Sequence, residues 1–325
     1  MVAKCIKIVL LGLVLISLPD DGNSARTMTI YHPGKAASLY DIAARNFAEQ
    51  VARETSGRLA IHVESNPSVQ SYRSAMSILH SSADSIILSS SVLSQISPEF
   101  QFFDLPFIVR DRNHMKILEN EIVNPFLQPI ATGHNLHILC VWEGGFQQIT
   151  NNQRPVRTVN DLKGLNLRTN QNEWRIRTFQ YLGANPTPIP FSETYFAIQK
   201  GVVSGMEISI SNIVPFRLHE TQRFLSITNH VYEPAYVLMG LETYQKIDNP
   251  TREALRRASV TTRDMIYRIA EVKDREVLER LRSHGMEINM TDMEAFRNQV
   301  RPIYDEFAER VRLGSKMITI AVGRY

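Results

Sequence analysis

The pattern of hydrophobic and polar positions predicts alternating strands and helices along most of the chain. Residues 27–32 are typical of a strand, and Ile42, Phe47 and Val51 then recur at the spacing of one helix face. A second strand, with apolar residues at every other position, follows at 59–63. This strand–helix–strand order predicts a mostly parallel sheet with helices on both of its faces.

The same alternation starts again after residue 146, which predicts two lobes of α/β architecture. Residues 165–168 are typical of a strand, a helix carrying Trp174 and Phe179 follows, and residues 202–210 are extended again. Lobes of this kind need about 100–200 residues each. The 325 residues of the chain are enough for two.

Residue types that cap helices mark several helix starts. A side-chain oxygen of Ser, Thr, Asp or Asn can accept a hydrogen bond from a backbone N–H of the first turn, which has no partner within the helix. On this basis the predicted N-terminal caps are Ser38, Asp111, Asn170, Ser192 and Thr291.

One long helix is predicted in the C-terminal third of the chain. From Glu253 to His284 there is no proline or glycine, and the apolar residues keep a helical period. At 1.5 Å per residue such a helix is about 48 Å long, which is more than one small domain requires. We therefore expect it to touch both lobes. A coiled-coil segment is the alternative, although the heptad pattern is irregular.

The first 25 residues are organised differently from the rest. Lys4 and Lys7 precede the apolar run 8–18, an arrangement typical of a secretory signal peptide. The run is shorter than the about 20 residues that cross a bilayer. Cleavage is expected near Ala25, with an uncleaved N-terminal anchor as the alternative. The mature protein is therefore predicted to lie in the periplasm.

Composition and charge exclude several functions. The chain is 43% hydrophobic and 21% charged with a net charge of +3, and it has no basic block typical of a nucleic-acid or membrane-surface partner. Phosphate-binding, dinucleotide-binding, hydrolase and zincin motifs are absent, and the nine histidines lack metal-ligand spacing. Cys140, the only cysteine after the leader, lies in an apolar stretch and is expected to be buried. The sequence thus predicts no cofactor and no metal site, and it argues against the common hydrolases, kinases and dehydrogenases without excluding an enzyme.

A series of short motifs in the middle of the chain carries the most specific information. Its segments are Asp161-Leu-Lys-Gly-Leu165 with Arg168, Gly183-Ala-Asn-Pro186, Glu193 with Tyr195, and Gly201-Val-Val203. Two further segments flank them, Phe103-Asp-Leu-Pro-Phe107 and Thr228-Asn-His230-Val-Tyr232. In this order the segments resemble the solute-binding proteins of tripartite ATP-independent periplasmic (TRAP) transporters, over nearly the whole mature chain.

The resemblance implies a periplasmic-binding-protein-like α/β fold, with two lobes joined by crossing strands and closing on a ligand by hinge motion. The expected division is a signal peptide at 1–25, a first lobe at 26–146 plus about 233–272, and a second lobe at 147–232 plus about 273–325. The implied function is extracytoplasmic capture of a small organic acid and its delivery to TRAP membrane subunits, by a monomer. The alternatives are a sensory receptor that presents the ligand to a signalling partner, and a secreted α/β enzyme acting on a carboxylate.

Arg168 matches the family arginine that grips the ligand carboxylate. A guanidinium is always charged and offers a planar fork that pairs with both carboxylate oxygens, which a lysine cannot copy. The other residues predicted to contact the ligand are Gln147, Phe191, Ile208, Ser89, Ser90 and Tyr236. Phe191 is alternatively a core aromatic residue, and the two serines alternatively cap a helix.

Three departures from the family pattern change the predicted pocket. Gln147 stands where the family often has an arginine, Ile208 stands where it typically has a ligand-facing asparagine, and the segment 64–69 is altered. The pocket is therefore expected to carry less positive charge and to be more apolar at one wall. Our hypothesis is a ligand with one carboxylate and a less polar or differently hydroxylated tail.

Overall fold

The computed structural model describes residues 26–66 and 71–323, so the predicted signal peptide lies outside the described residues. This part of the chain holds nine strands: β1 (Arg26–His32), β2 (Leu59–Ser65), β3 (Ser85–Ser89), β4 (Leu136–Asn151), β5 (Asn166–Thr169), β6 (Asn185–Pro188), β7 (Gly205–Ser209), β8 (Phe224–Gly240) and β9 (Glu287–Met290). Its α-helices are α1 (Leu39–Glu54), α2 (Tyr72–Ser81), α3 (Ser90–Leu93), α4 (Arg112–Leu118), α5 (Gln128–Gly133), α6 (Glu173–Tyr181), α7 (Thr194–Gln199), α8 (Ile210–Ile213), α9 (Leu241–Lys246), α10 (Asn249–Ser283), α11 (Met293–Val300), α12 (Pro302–Arg310) and α13 (Gly314–Val322). Short 3₁₀ turns lie at Pro98–Asp104, Val159–Leu162, Phe191–Glu193 and Leu218–Glu220, and a π-helix lies at Glu119–Leu127.

The strands form one mixed sheet in the order β2-β1-β3-β8-β4-β7-β5-β6, with β9 paired to β8. The two ends of the sheet are parallel, since β1 pairs in parallel with β2 and β3, and β5 with β6 and β7. The centre is antiparallel, through the pairs β3–β8, β4–β8 and β4–β7. The expectation of a mostly parallel sheet is therefore correct at the ends and wrong at the centre, where two long strands run side by side.

The two long strands β4 and β8 connect the two lobes that the sequence predicts. One end of the β4–β8 ladder is flanked by β3, and the other end is flanked by β7 and β9. Each strand thus belongs to both lobes. The lobe boundaries near residues 146 and 232 stay a prediction.

Helix α10 is the predicted long helix, and with 35 residues it spans about 52 Å at 1.5 Å per residue. Its first part packs on α1 and β4, where Trp142 Nε1 donates to Ser259 O at 3.1 Å. Its last part contributes Leu281 to a second cluster of buried apolar residues, which also contains Ile208. The helix therefore spans both lobes. Among the described residues, no helix has the length and apolarity needed to cross a membrane.

Two of the predicted caps are confirmed and three are wrong. Ser38 Oγ accepts from Asp41 N at 3.3 Å, and Asp111 Oδ1 accepts from His114 N at 2.7 Å. Helix α6 is capped by Asn172 rather than Asn170, and α11 is capped by Asp292 rather than Thr291. Ser192 lies within the 3₁₀ turn Phe191–Glu193 that precedes α7. Several residues of capping type stand together at these starts, and the path of the backbone decides which one reaches the first-turn N–H groups.

A pair of glycines marks the point where the crossing strands pass between the lobes. The β4–β8 register shifts between Glu143 and Phe146, on either side of Gly144 and Gly145. A Cβ on Gly144 would lie 2.3 Å from Glu233 O, and Gly145 has φ +102°. Only glycine fits such a close approach and such a backbone without strain. The hinge motion that the resemblance implies is expected at this segment.

Candidate ligand-binding site

The carboxyl ends of the parallel strands β5, β6 and β7 meet at one edge of the sheet. Arg168 lies near the end of β5 and Ile208 near the end of β7, while Phe191 follows β6. Gln147 of β4 pairs with Ser209, the last residue of β7. Ligands of open α/β sheets bind outside the carboxyl ends of the strands. Four of the seven residues predicted from the sequence therefore converge on this edge.

Arg168 is buried there without an ion pair to any described carboxylate. The side chain of this arginine is anchored by a hydrogen bond from Nε to Ile189 O at 2.8 Å, and its guanidinium carbon lies 5.5 Å from the centre of the Phe191 ring. Burial lowers the pKa of Arg168 to about 10, partly offset by the carboxylates of Glu207 and Glu233. The guanidinium thus stays charged at neutral pH and is oriented by a backbone carbonyl, which is the arrangement an anionic ligand requires.

A second buried arginine, Arg175 of α6, differs from Arg168 because its charge is matched within the protein. Arg175 Nε donates to Asp104 Oδ1 at 2.9 Å, and Nη1 donates to Glu207 Oε2 at 2.8 Å. His230 Nε2 lies 3.3 Å from the same Glu207 oxygen. Burial alone would raise the pKa of Glu207, but Arg175, His230 and Arg168 together lower it to about 2. These residues form a buried network in which Asp104 and Glu207 both pair with Arg175.

Three of the four residues of this network lie in or beside the sequence motifs, whose pattern gave them no role. Asp104 belongs to the segment 103–107, and His230 belongs to the segment 228–232. Glu207 follows the motif 201–203 by four positions. The signal was therefore present as motif residues without a stated role, because the sequence does not show that they meet.

Glu233 is a further site residue that the sequence analysis missed. Its Oε2 accepts a hydrogen bond from Gln147 Nε2 at 3.0 Å. Burial raises the pKa of Glu233 to about 7. The positive charges of Arg175 and Arg168 oppose this rise, whereas the carboxylates of Asp104 and Glu207 add to it. Tyr40 of α1 also lies near this carboxyl group, which together with burial raises the pKa of the Tyr40 hydroxyl. One glutamate within an apolar strand gives no motif that would have revealed it.

Ser89, Ser90 and Tyr236 lie on the side of β3 and β8, away from Arg168 in the sheet order. Ser89 occupies the cap position of α3, but its Oγ bonds Ser91 Oγ at 2.8 Å rather than capping the helix. Ser90 is fully buried beside Asp104. Burial raises the pKa of Asp104, and Ser90 partly offsets this rise. Tyr236 is fully buried, with its ring edge-on to Phe100 at 5.7 Å. A ligand role for these three residues stays a prediction.

The loop after β1 contacts the segment after α8 across the space between the two lobes. Lys35 Nζ lies 4.4 Å from the centre of the Phe216 ring and donates to Pro215 O at 3.4 Å. The Phe216 ring packs edge-on against Phe191 at 4.5 Å. Phe191 therefore lies between the Arg168 guanidinium and this contact between the lobes. Phe191 also packs against the second apolar cluster, which agrees with the alternative that it is a core aromatic residue.

Comparison with known proteins agrees with this architecture. The profile of the family described as "Bacterial extracellular solute-binding protein, family 7" (DctP) matches residues 31–310. The C4-dicarboxylate-binding protein DctB of Bacillus subtilis is 32% identical over 272 residues, which cover 82% of this chain and 77% of DctB. This chain is thus similar to a binding protein over most of the length of both.

Two solved structures of TRAP periplasmic solute-binding proteins are similar in fold as well. The protein from Bordetella bronchispeptica, with density assigned as pantoate, has a TM-score of 0.81 at 28% identity and covers 91% of this chain and 98% of its own. The protein from Polaromonas sp JS666, bound to D-erythronate, also has a TM-score of 0.81, at 25% identity and with the same coverage. The matched family consists of solute-binding transport proteins rather than enzymes. The chain therefore belongs to the bacterial extracellular solute-binding proteins of family 7, the binding-protein components of TRAP transporters.

Proposed function

We propose that this chain captures a small organic acid between its lobes in the periplasm and delivers it to TRAP membrane subunits. One observation carries the proposal: Arg168 is buried at the carboxyl ends of the second-lobe strands, and no described carboxylate forms an ion pair with it. A buried charge without a partner is unfavourable, so the site gains free energy when a carboxylate arrives.

The chemistry of the site suits a carboxylate. The bond from Nε to Ile189 O fixes the plane of the guanidinium, and two N–H groups of its outer edge can then pair with both carboxylate oxygens. Phe191 shields one side of the guanidinium from water. Closure of the lobes removes further water, which strengthens the charge interaction.

The relatives support the same class of ligand. DctB is named for C4-dicarboxylates, and the two similar solved structures are described with pantoate and D-erythronate. All of these are small carboxylates. Their shared chemistry is the part that Arg168 would bind, and family membership supports delivery to membrane subunits.

A thermal-shift screen of the mature protein against small organic acids tests the proposal. An acid at 100 times its dissociation constant stabilises the folded protein by about 2.7 kcal/mol. At about 2–4 °C per kcal/mol, the melting temperature rises by about 5–11 °C. Arg168→Ala should abolish this shift, and Arg168→Lys should weaken it because a lysine cannot form the bidentate pair.

Arg256→Ala is the matched control, since Arg256 is an exposed arginine of α10 paired with Glu253. It should leave the ligand-induced shift intact. A shift that persists in Arg168→Ala would contradict the role of this residue. Delivery is tested by uptake of the identified acid into vesicles that contain the cognate membrane subunits, which should require the binding protein.

A further inference from the structure

One wall of the candidate site carries an acidic group rather than a second cation. The carboxyl group of Glu233 accepts from Gln147, a residue that stands where the family often has an arginine. Both side chains extend from the crossing strands β4 and β8, close to the hinge glycines. Gln147 pairs with Ser209 at the end of β7, the strand whose Met206 pairs with Arg168. Glu233 and Arg168 also affect the pKa of each other. The two side chains therefore border the space beside the Arg168 guanidinium.

The charges around this space are unevenly matched. Arg175 is paired with both Asp104 and Glu207, so these two carboxylates are already engaged. Arg175 Nη2 has no described hydrogen-bond partner, but the charge of Arg175 is ion-paired. Within the described network, Arg168 is therefore the cation without a carboxylate partner. Glu233, in contrast, has a neutral amide as its described hydrogen-bond partner. A second carboxylate on the ligand would thus approach the carboxyl group of Glu233, while the nearby Arg175 is already paired with two carboxylates.

We infer that Glu233 and Gln147 form a second subsite that accepts a hydrogen bond from a hydroxyl group of the ligand, so that the protein selects hydroxylated monocarboxylates over dicarboxylates. This inference rests on the proposed function, because it takes the ligand carboxylate to be held by Arg168. A carboxylate oxygen only accepts hydrogen bonds, and a hydroxyl group supplies the missing donor. Two carboxylates in contact repel each other, which penalises a dicarboxylate.

The relatives alone do not decide between these two ligand classes. DctB is named for dicarboxylates, whereas pantoate and D-erythronate are monocarboxylates that carry hydroxyl groups. The acidic wall formed by Glu233 is the feature of this chain that favours the second class. The acidic wall also gives a physical basis for the expectation that the ligand has one carboxylate. That expectation came from the departures from the family pattern, including Gln147.

Isothermal titration calorimetry of the mature protein tests the subsite with four probes: D-erythronate, pantoate, succinate and 4-aminobutanoate. The titrations are run at about pH 8, where Glu233 is mostly ionised. The wild-type protein should bind at least one of the hydroxy acids about tenfold or more tightly than succinate, because the like-charge contact penalises the dicarboxylate. Glu233→Gln should reduce the ratio of hydroxy-acid affinity to succinate affinity by about tenfold, since it removes the negative charge of the side chain and keeps its shape.

Two further variants complete the test. Gln147→Arg should increase succinate affinity by placing a cation beside Glu233. Glu242→Gln is the matched control, because it removes an exposed carboxylate paired with Lys246, and it should leave the preference unchanged. Thermal melting of each variant establishes that it is folded.

The outcomes separate this inference from the proposed function. The subsite is overturned if succinate or 4-aminobutanoate binds the wild-type protein as tightly as the hydroxy acids. It is also overturned if Glu233→Gln leaves the preference unchanged while Arg168→Ala still abolishes binding. Binding that survives in Arg168→Ala, or a wild-type protein that binds none of the four probes or other organic acids, contradicts the proposed function itself.

Discussion

Arg175 Nη1 and Glu207 Oε2 lie 2.8 Å apart in a buried ion pair, although the two residues are 32 positions apart in the sequence. Arg168, seven residues before Arg175, is buried almost as deeply but forms no such pair with the described residues. The two arginines therefore have different roles. Arg175 joins α6, β7 and the 3₁₀ turn that ends at Asp104, whereas we propose that Arg168 binds the ligand.

This difference predicts opposite effects on stability. Arg175→Ala leaves Asp104 and Glu207 as buried carboxylates without a cation, and it should lower the free energy of unfolding by about 3–5 kcal/mol. Arg168→Ala removes a buried charge that has no described ion pair, so the ligand-free protein should keep its stability or gain some. Urea unfolding of the ligand-free variants measures both effects.

Arg177→Ala is the control for the stability comparison. Arg177 lies on the same helix as Arg175, but it is partly exposed and pairs with Glu173 and Glu306 at the surface. Its removal should cost at most about 1 kcal/mol. The assignment of roles would be wrong if Arg168→Ala proved as destabilising as Arg175→Ala.

The discrimination against succinate should increase with pH. Burial raises the pKa of Glu233 to about 7, so its carboxyl group becomes ionised as the pH rises through this value. The carboxyl groups of succinate ionise at lower pH and remain charged throughout. The succinate dianion binds better when Glu233 is protonated. The dissociation constant of succinate should therefore rise by up to about tenfold per pH unit above pH 7.

Titrations of succinate between about pH 6.5 and 8 measure this dependence. The groups that share the environment of Glu233 are Arg168, Arg175, Asp104, Glu207 and Tyr40. Burial lowers the pKa of His230, the imidazole beside Glu207, and Glu207 partly offsets this effect. Glu233→Gln should give a flat profile, and an unchanged slope in this variant would assign the pH dependence to another group.

The contact of Lys35 with Phe216 should slow ligand release. It joins the loop after β1 to the segment after α8, so the lobes cannot separate without breaking it. An exposed cation–π contact contributes about 0.5–1 kcal/mol, and Lys35→Ala should therefore speed dissociation by about two- to fivefold. Stopped-flow displacement of a bound acid gives this rate.

Lys246→Ala serves as the control for the release experiment, because Lys246 is an exposed lysine paired with Glu242 on α9. It should leave the dissociation rate unchanged. If Lys35→Ala also leaves the rate unchanged, the contact between the lobes does not limit their opening.

The hinge should tolerate no side chain at Gly144. A Cβ there would lie 2.3 Å from the backbone oxygen of Glu233, and neither strand can shift without disturbing the β4–β8 ladder. Gly144→Ala should therefore lower the free energy of unfolding by about 2 kcal/mol or more. Gly133→Ala, at the end of α5 with no atom within 4 Å of the added methyl group, should be neutral or stabilising by up to about 1 kcal/mol. Equal effects of the two substitutions in thermal unfolding would contradict the close approach.

The sequence determined the features that depend on local periodicity and on residue type. The long helix was predicted at 253–284 and is observed at Asn249–Ser283. Its earlier start reflects Pro250, which the first turn of a helix tolerates because the missing N–H has no partner there. Burial of Cys140 also followed from its apolar neighbours. Such patterns report which face of an element is buried, and this information is local.

Only the tertiary structure decided which partners those elements and side chains meet. Periodicity does not reveal that β4 and β8 pair antiparallel, or that Asn172 rather than Asn170 reaches the first turn of α6. It also cannot separate Arg175, which is paired with two carboxylates, from Arg168, which has no ion pair within the described part of the chain. Electrostatic energy depends on distances between groups far apart in the chain, and only folding sets those distances. The position of Glu233 beside Gln147, and with it the predicted ligand preference, is therefore a property of the tertiary structure.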